Sequence, residues 1–542
     1  MAQVSASTAQ FTVSPSTSAD AARPSSGVAT GPRSTSWRVY AALAVGSLAL
    51  GGLSLLYPST PSYDPWGWLL WGREILHLNL YTVGGNSFKP LPVLFTVPFA
   101  LFGKAQPDLW LALARAGAVF AVAMAFKLAA RITISFGAGP GDRTGLARLI
   151  GYGPAVLAGT VAAISVLISP QYVRDAALGY SECLGAGMVL LALDRHLDGK
   201  PRQAFAIGFI PALDRPEIWA FWGLYGLYLW RRDPGARRLV IALFALVPAL
   251  WFLPELWGSG HFFRGVTRAL NPRSNAPTFA KCPFCTEVKA AVGLSLARVK
   301  IFSGLLALGA LVAVWRALSR RRGDLGVALR EQARRPEAIV VVLAVMAIIW
   351  VIEISLMTQM GFSGNQRYLI IGVALVVVLG GVGWGLVAWK LGELLGRVLR
   401  PAPGAALASL AASAVFLVFP DFVVGHFPAH KLNHALRYQA ELRQDLAAIV
   451  QRAGGAKKVV SCGTIETEDY QKQMVSWYLG VKTVHTNDAP AGELENAYAV
   501  KDPDVILQTR ATGRSLLRPS VPANVAYTRI RVRTFRLYEH CR

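Results

Sequence analysis

Ten ionisable side chains stand beside long apolar runs, where a charge is costly and marks a functional candidate: Asp64, Arg73, Glu74, Lys89, Arg174, Asp175, Glu182, Arg215, Glu217 and Arg367. A carboxylate in such a place can take a proton from a hydroxyl, and Lys or Arg beside it can hold a phosphate. Asp64 lies in Tyr63-Asp64-Pro65-Trp66-Gly67-Trp68, Lys89 in Phe88-Lys89-Pro90-Leu91-Pro92, and Glu182 in Gly179-Tyr180-Ser181-Glu182. Arg215 and Glu217 flank Pro216 after Leu213-Asp214, and Arg367-Tyr368 follows Gly364-Asn365-Gln366. Each has a structural competitor. Asp before Pro can cap a helix, Lys89 can snorkel to headgroups, Glu182 suits a helix N-terminus, and Arg215 can simply pair with Glu217. His426, His430 and His434 recur every four residues, a helix face that can bind metal or lie at an interface, but no carboxylate joins the pattern.

What positions these residues must be a bilayer. Of 542 residues, 53% are hydrophobic and 16% charged, and the mean hydropathy is +0.40, too apolar for a soluble chain of several domains. About eleven spans are predicted: 39–56, 109–130, 151–168, 180–193, the short 204–213 and 218–230, and five more starting near Leu239, Ile301, Ala338, Leu369 and Ala405. Trp68, Trp71, Ile75 and Leu78 recur at helical spacing, which predicts an amphipathic helix in the interface.

The net charge of +24 is spread over short loops beside the spans, the pattern that orients a membrane protein and not one that reads nucleic acid. Basic loops around Arg131, Arg195, Arg231, Arg320 and Arg397 are placed in the cytoplasm, so the ten candidates share the opposite face. The outer loop 257–300 is also basic, which suits anionic headgroups or a phosphate.

Residues 1–37, rich in Ser, Thr, Ala and Pro, are predicted to be a disordered cytoplasmic tail. Residues 38–426 form the multi-span domain, with 58–108 as its first outer loop, and 427–542 a small extracytoplasmic α/β domain. In that domain a helix is expected over 431–452 and strands at 457–461, 504–508 and 525–536. Cys282, Cys285, Cys462 and Cys541 fall on the oxidising side and suit structural disulfides of undetermined pairing, the alternatives being free thiols or, for the Cys282-Pro-Phe-Cys285 spacing, half of a metal site that lacks a second pair.

Taken in order, these pieces resemble the C-type (GT-C) superfamily of membrane glycosyltransferases, which includes protein O-mannosyltransferases and the aminoarabinose and arabinosyl transferases. The features that match are Asp64 after the first span, Lys89 to Pro92 before an apolar helix, Glu182 at the outer start of a span, Arg215 to Glu217 in a hairpin of short spans, and Arg367-Tyr368 opening a late span. The resemblance implies a polyprenyl-phosphate sugar donor, with Asp64 and Glu182 catalytic and Lys89, Arg215 and Arg367 holding the donor phosphate. Arg73, Glu74, Asp175, Glu217 and Tyr368 would support them. No second acidic residue adjoins Asp64, so no cofactor is assigned, and a divalent cation (Mg or Mn) stays an open choice. The rival readings are a carrier or flippase of lipid-linked saccharides and a non-catalytic scaffold; oligomeric state is left open.

Overall fold

The computed structural model describes residues 35–140, 144–319, 335–399, 401–418, 427–488 and 502–541. The predicted tail up to residue 34 and His426 lie outside them. Among the described residues, seven helices are long and apolar enough to cross a bilayer, and an eighth span results if Pro170–Ala177 and Glu182–Leu197, bent by 110°, are taken as one. The expected eleven counted Pro201–Ala212 and Ile218–Arg232, which are too short to qualify on their own.

The most enclosed span runs over Gln366–Leu395, because its glycines let neighbouring backbones touch it. A Cβ on Gly381 would lie 2.4 Å from the Ala158 carbonyl oxygen, so a larger residue would push the two helices apart. At one end of the bundle Lys127, Arg131 and Arg195 converge on the buried Asp194 and Asp198, with Tyr40 donating to both carboxylates. Part of the basic charge expected to set orientation is therefore neutralised within the fold.

The other end carries the Tyr63–Leu76 helix and the C-terminal domain. The expected interfacial helix is corrected here: Trp66, Trp68, Leu69, Leu70 and Trp71 are all buried in protein. One side lies on the Pro90–Ala100 helix, where Thr96 donates to the Trp68 carbonyl at 2.7 Å. The other meets the C-terminal domain, where Trp66 packs on Trp477 at 5.3 Å. Gln106 ties all three together: its amide donates to the Leu69 and Thr96 carbonyls, and its oxygen accepts the Trp477 indole at 2.8 Å.

The domain opens with the helix Ala429–Arg452, close to expectation. The strand expected at 457–461 is instead the helix Ala456–Ser461; the Val pair that suggested a strand buries only Val459, and the preceding Gly454 and Gly455, both at positive φ, turn the chain into a helix. The sheet comprises β1 (Ile465–Thr467), β2 (Thr486–Asp488), β3 (Val505–Arg510), β4 (Leu517–Arg518), β5 (Thr528–Arg531) and β6 (Arg536–Glu539). Its order is β2-β1-β3-β6-β5, with β4 paired to β3. β1 runs parallel to β2 and β3; the remaining pairs are antiparallel. The region expected as one strand over 525–536 is the β5–β6 hairpin. Disulfides join Cys282 to Cys285 and Cys462 to Cys541, while Cys183 is a buried free thiol.

Candidate active site

Asp64 sits in the first turn of Tyr63–Leu76, after the N-cap Ser62. It does not cap: its carboxylate is ion-paired with the Arg367 guanidinium. A carboxylate in that turn is also favoured by the helix dipole. Arg367 comes from the tight turn Gln366–Leu369 that starts the central span. Its Nε lies 3.2 Å from Glu182 Oε1, and its guanidinium stands 4.3 Å from the Tyr180 ring and 5.3 Å from that of Tyr368.

Glu182 opens the helix Glu182–Leu197 at the 110° bend, which is held by Trp110 donating to the Gly179 carbonyl at 2.9 Å. It is buried, and its Oε1 receives Lys89 Nζ at 2.9 Å. Lys89 precedes two prolines that start the Pro90–Ala100 helix without needing backbone donors. Its position is fixed by the Leu91 amide donating to the Leu213 carbonyl at 3.0 Å, which sets Nζ 3.6 Å from Asp214. Burial disfavours the charge on Lys89, yet Asp214 and Glu182 outweigh it and raise its pKa. Burial raises the Asp214 carboxyl, against the pull of Lys89 and the Ser181 hydroxyl, which donates at 2.5 Å.

Arg215 lies 3.7 Å from Glu182 but is turned mainly to Glu217, which holds it through two nitrogens, and to the Tyr368 ring 3.6 Å away. The self-pairing weighed from the sequence therefore exists, and Tyr368 fixes the Arg215 plane. The result is one nearly buried charge cluster in which Asp64, Glu182, Asp214 and Glu217 face Lys89, Arg215 and Arg367. Glu182 Oε2 and Asp214 Oδ2 have no hydrogen-bond partner among the described residues, so the cluster holds acceptor capacity that a ligand hydroxyl can satisfy.

Other expected site residues stand elsewhere. Arg73 donates to the Trp477 and Val481 carbonyls and anchors the C-terminal domain. Glu74 accepts the Tyr81 amide at 2.9 Å, and burial pushes its carboxyl up to about 7. Asp175 is buried and takes both its hydrogen bonds from Gln171 at 2.9 Å, within electrostatic reach of Glu182 and Arg367. Arg174 is exposed. The basic outer loop is spent largely on structure: Arg264 and Arg268 donate to carbonyls of Val83, Gly85 and Asn86. Arg273 from the same loop stacks on Tyr63 at 4.6 Å.

Sequence reasoning passed over Asp214 and Ser181, although each adjoins a residue it chose, and Tyr180, two positions before Glu182, and it did not single out Arg273. Among the described residues no group of three or more His, Cys, Asp or Glu is arranged to hold a metal ion; the site carboxylates face Lys and Arg.

No protein-family model matches the chain, and no curated protein matches it. Solved structures are similar to it, two crystal structures among them. A crystal structure of ArnT from Cupriavidus metallidurans bound to undecaprenyl phosphate is 13% identical, over 93% of this chain and 98% of that one, with a TM-score of 0.48. The apo crystal structure of the same protein is 14% identical, over 86% and 88%, with a TM-score of 0.44. At such scores the chemistry must be read from this chain's own side chains.

Proposed function

We propose that this chain is a glycosyltransferase of the inner (plasma) membrane that moves a sugar from a polyprenyl-phosphate donor to a hydroxyl on an extracytoplasmic acceptor. The observation that carries the reading is the meeting of Asp64, Lys89, Glu182, Arg215 and Arg367, drawn from five separated stretches of chain, in one nearly buried charge cluster at the end of the bundle that carries the C-terminal domain. In this reading that end faces outward, the 1–37 tail and the Lys127–Asp194 end face the cytoplasm, and residues 427–542 form the outer domain.

The donor phosphate competes with Asp64 and Glu182 for Arg367 and Lys89. As Arg367 turns to the phosphate it releases Asp64, which then accepts the acceptor's hydroxyl proton as the oxygen attacks the anomeric carbon. The carbon–oxygen bond to phosphate breaks on the opposite face, its electron pair leaves with the phosphate, and the centre inverts. Only one base is needed, because phosphate departs without the protonation an alcohol leaving group demands. Charge growing on it is stabilised by Lys89 and Arg367 in a medium of low dielectric. Arg215, clamped by Glu217, contributes at longer range.

The test is incubation of the purified protein, in lipid, with polyprenyl-phosphate pentoses and hexoses. Transfer or donor hydrolysis is expected with at least one donor. Asp64→Asn should lower it by about 100-fold or more, the scale of general base catalysis, in protein that remains folded. Full activity in that variant would remove Asp64 from the mechanism.

A further inference from the structure

Near this charge cluster, on the C-terminal domain, lies a cleft of about 250 Å³ lined by Glu468, Asp469, Tyr470, Ser515, Leu516 and Arg518. Arg273 links it to the segment that carries Asp64. That guanidinium stands 3.8 Å from the Tyr470 ring and 4.6 Å from the ring of Tyr63, the neighbour of Asp64, and pairs with Asp469 at 3.0 Å. The walls carry both signs of charge. Glu468 is 5% exposed; its Oε2 accepts the Tyr470 amide at 3.0 Å, and no hydrogen bond from another described residue reaches Oε1. Tyr470 is 40% exposed and offers a ring to whatever enters.

These walls select by exclusion. An anion is opposed by Glu468 and Asp469, a cation by Arg273 and Arg518. A neutral polyol meets carboxylates that accept from its hydroxyls, a guanidinium that donates to them, and an aromatic ring for its C–H face. The volume is just below the ~300–1,000 Å³ of pockets for drug-sized ligands, a size for one or two sugar rings.

We propose that this cleft is the acceptor site, and that it binds a neutral saccharide whose free hydroxyl is presented past Arg273 and Tyr63 to Asp64. The proposal rests on the glycosyltransferase reading and names its acceptor class.

The experiment uses the full chain in lipid nanodiscs and saturation-transfer NMR with methyl mannopyranoside, methyl glucopyranoside and methyl arabinofuranoside. At least one glycoside should saturate, and Glu468→Gln and Tyr470→Ala should each weaken it ten-fold or more, with Tyr470→Phe, which keeps the ring, restoring most of the affinity. In transfer assays with that sugar as acceptor, the same variants should raise the acceptor KM with little change in kcat. If no glycoside binds, if binding is unchanged in both variants, or if only a lysine-rich peptide binds, the cleft is not a saccharide site. Glycoside binding that depends on Glu468 and Tyr470, without turnover of any donor, would keep the cleft and sink the transferase reading. Asp64-dependent turnover indifferent to the cleft variants would do the reverse.

Discussion

Glu182 is buried with one carboxylate oxygen shared among three cations, and Lys89 divides its charge between Glu182 and Asp214. Taking one member from such a cluster leaves an uncompensated charge in a dry place, at a cost of about 3–5 kcal/mol, whereas removing a matched pair costs far less. Lys89→Met should therefore lower stability by about that amount, and Lys89→Met combined with Asp214→Asn should recover much of it; thermal unfolding of the two variants in detergent checks this. Both should be inactive, since neither keeps the cation meant for phosphate. Asp64, Lys89, Glu182 and Arg367 were all visible in the sequence as charges beside apolar runs. Their partnerships were not. Whether Asp64 capped a helix or met a cation turned on Arg367, 303 positions away, and nothing local separates the two outcomes. Asp214 was overlooked because its neighbours Arg215 and Glu217 already made a satisfied pair on paper.

Among the elements, the Tyr63–Leu76 helix matters most, since it carries Asp64 and is gripped on both sides. Its far end is held by Glu74, whose carboxylate accepts the Tyr81 amide and thereby fixes the returning loop. Burial raises this carboxyl from the ordinary 4.5 to about 7. Between those values the folded chain holds a proton that the unfolded chain has lost, so stability falls as pH rises from about 4.5 through 7. Hydrogen-exchange protection over residues 77–82, taken relative to the intrinsic exchange rate at each pH, should accordingly be lower at pH 8 than at pH 5, and Glu74→Gln should flatten the difference. Hydropathy located the long helices of the body well, because length and apolar content are local properties. It misread the surroundings of this helix: Trp68, Trp71 and Ile75 gave the right period, but periodicity does not say whether lipid or protein covers the face. The same limit explains 457–461, where two valines suited a strand and the glycines before them started a helix.

Across the whole molecule the fold is a polytopic helical body with a small sheet domain seated on one end. Arg443 pairs with Asp108 at 2.7 Å, Arg273 with Asp469, and Lys482 donates to Asn79 at 2.7 Å, so the domain is fastened to the body at several separate points. The Cys462–Cys541 bond closes 79 positions of that domain, and removing such a bond from a small domain typically costs 2–5 kcal/mol. Cys462→Ser should lower the melting temperature of the C-terminal domain and leave the helical body intact, as read by near-UV and far-UV circular dichroism together. In wild-type protein a reductant, which also opens Cys282–Cys285, should lower the same C-terminal-domain transition. The seating of Trp477 has a practical consequence. Its ring packs on Trp66 and its indole nitrogen donates to Gln106, while its carbonyl accepts from Arg73. A soluble fragment cut at residue 427 would expose that tryptophan and strand its polar partners, and would self-associate in the test tube. Ligand screening on the severed domain would then reward stickiness, so the uncut protein in lipid is the material on which to work.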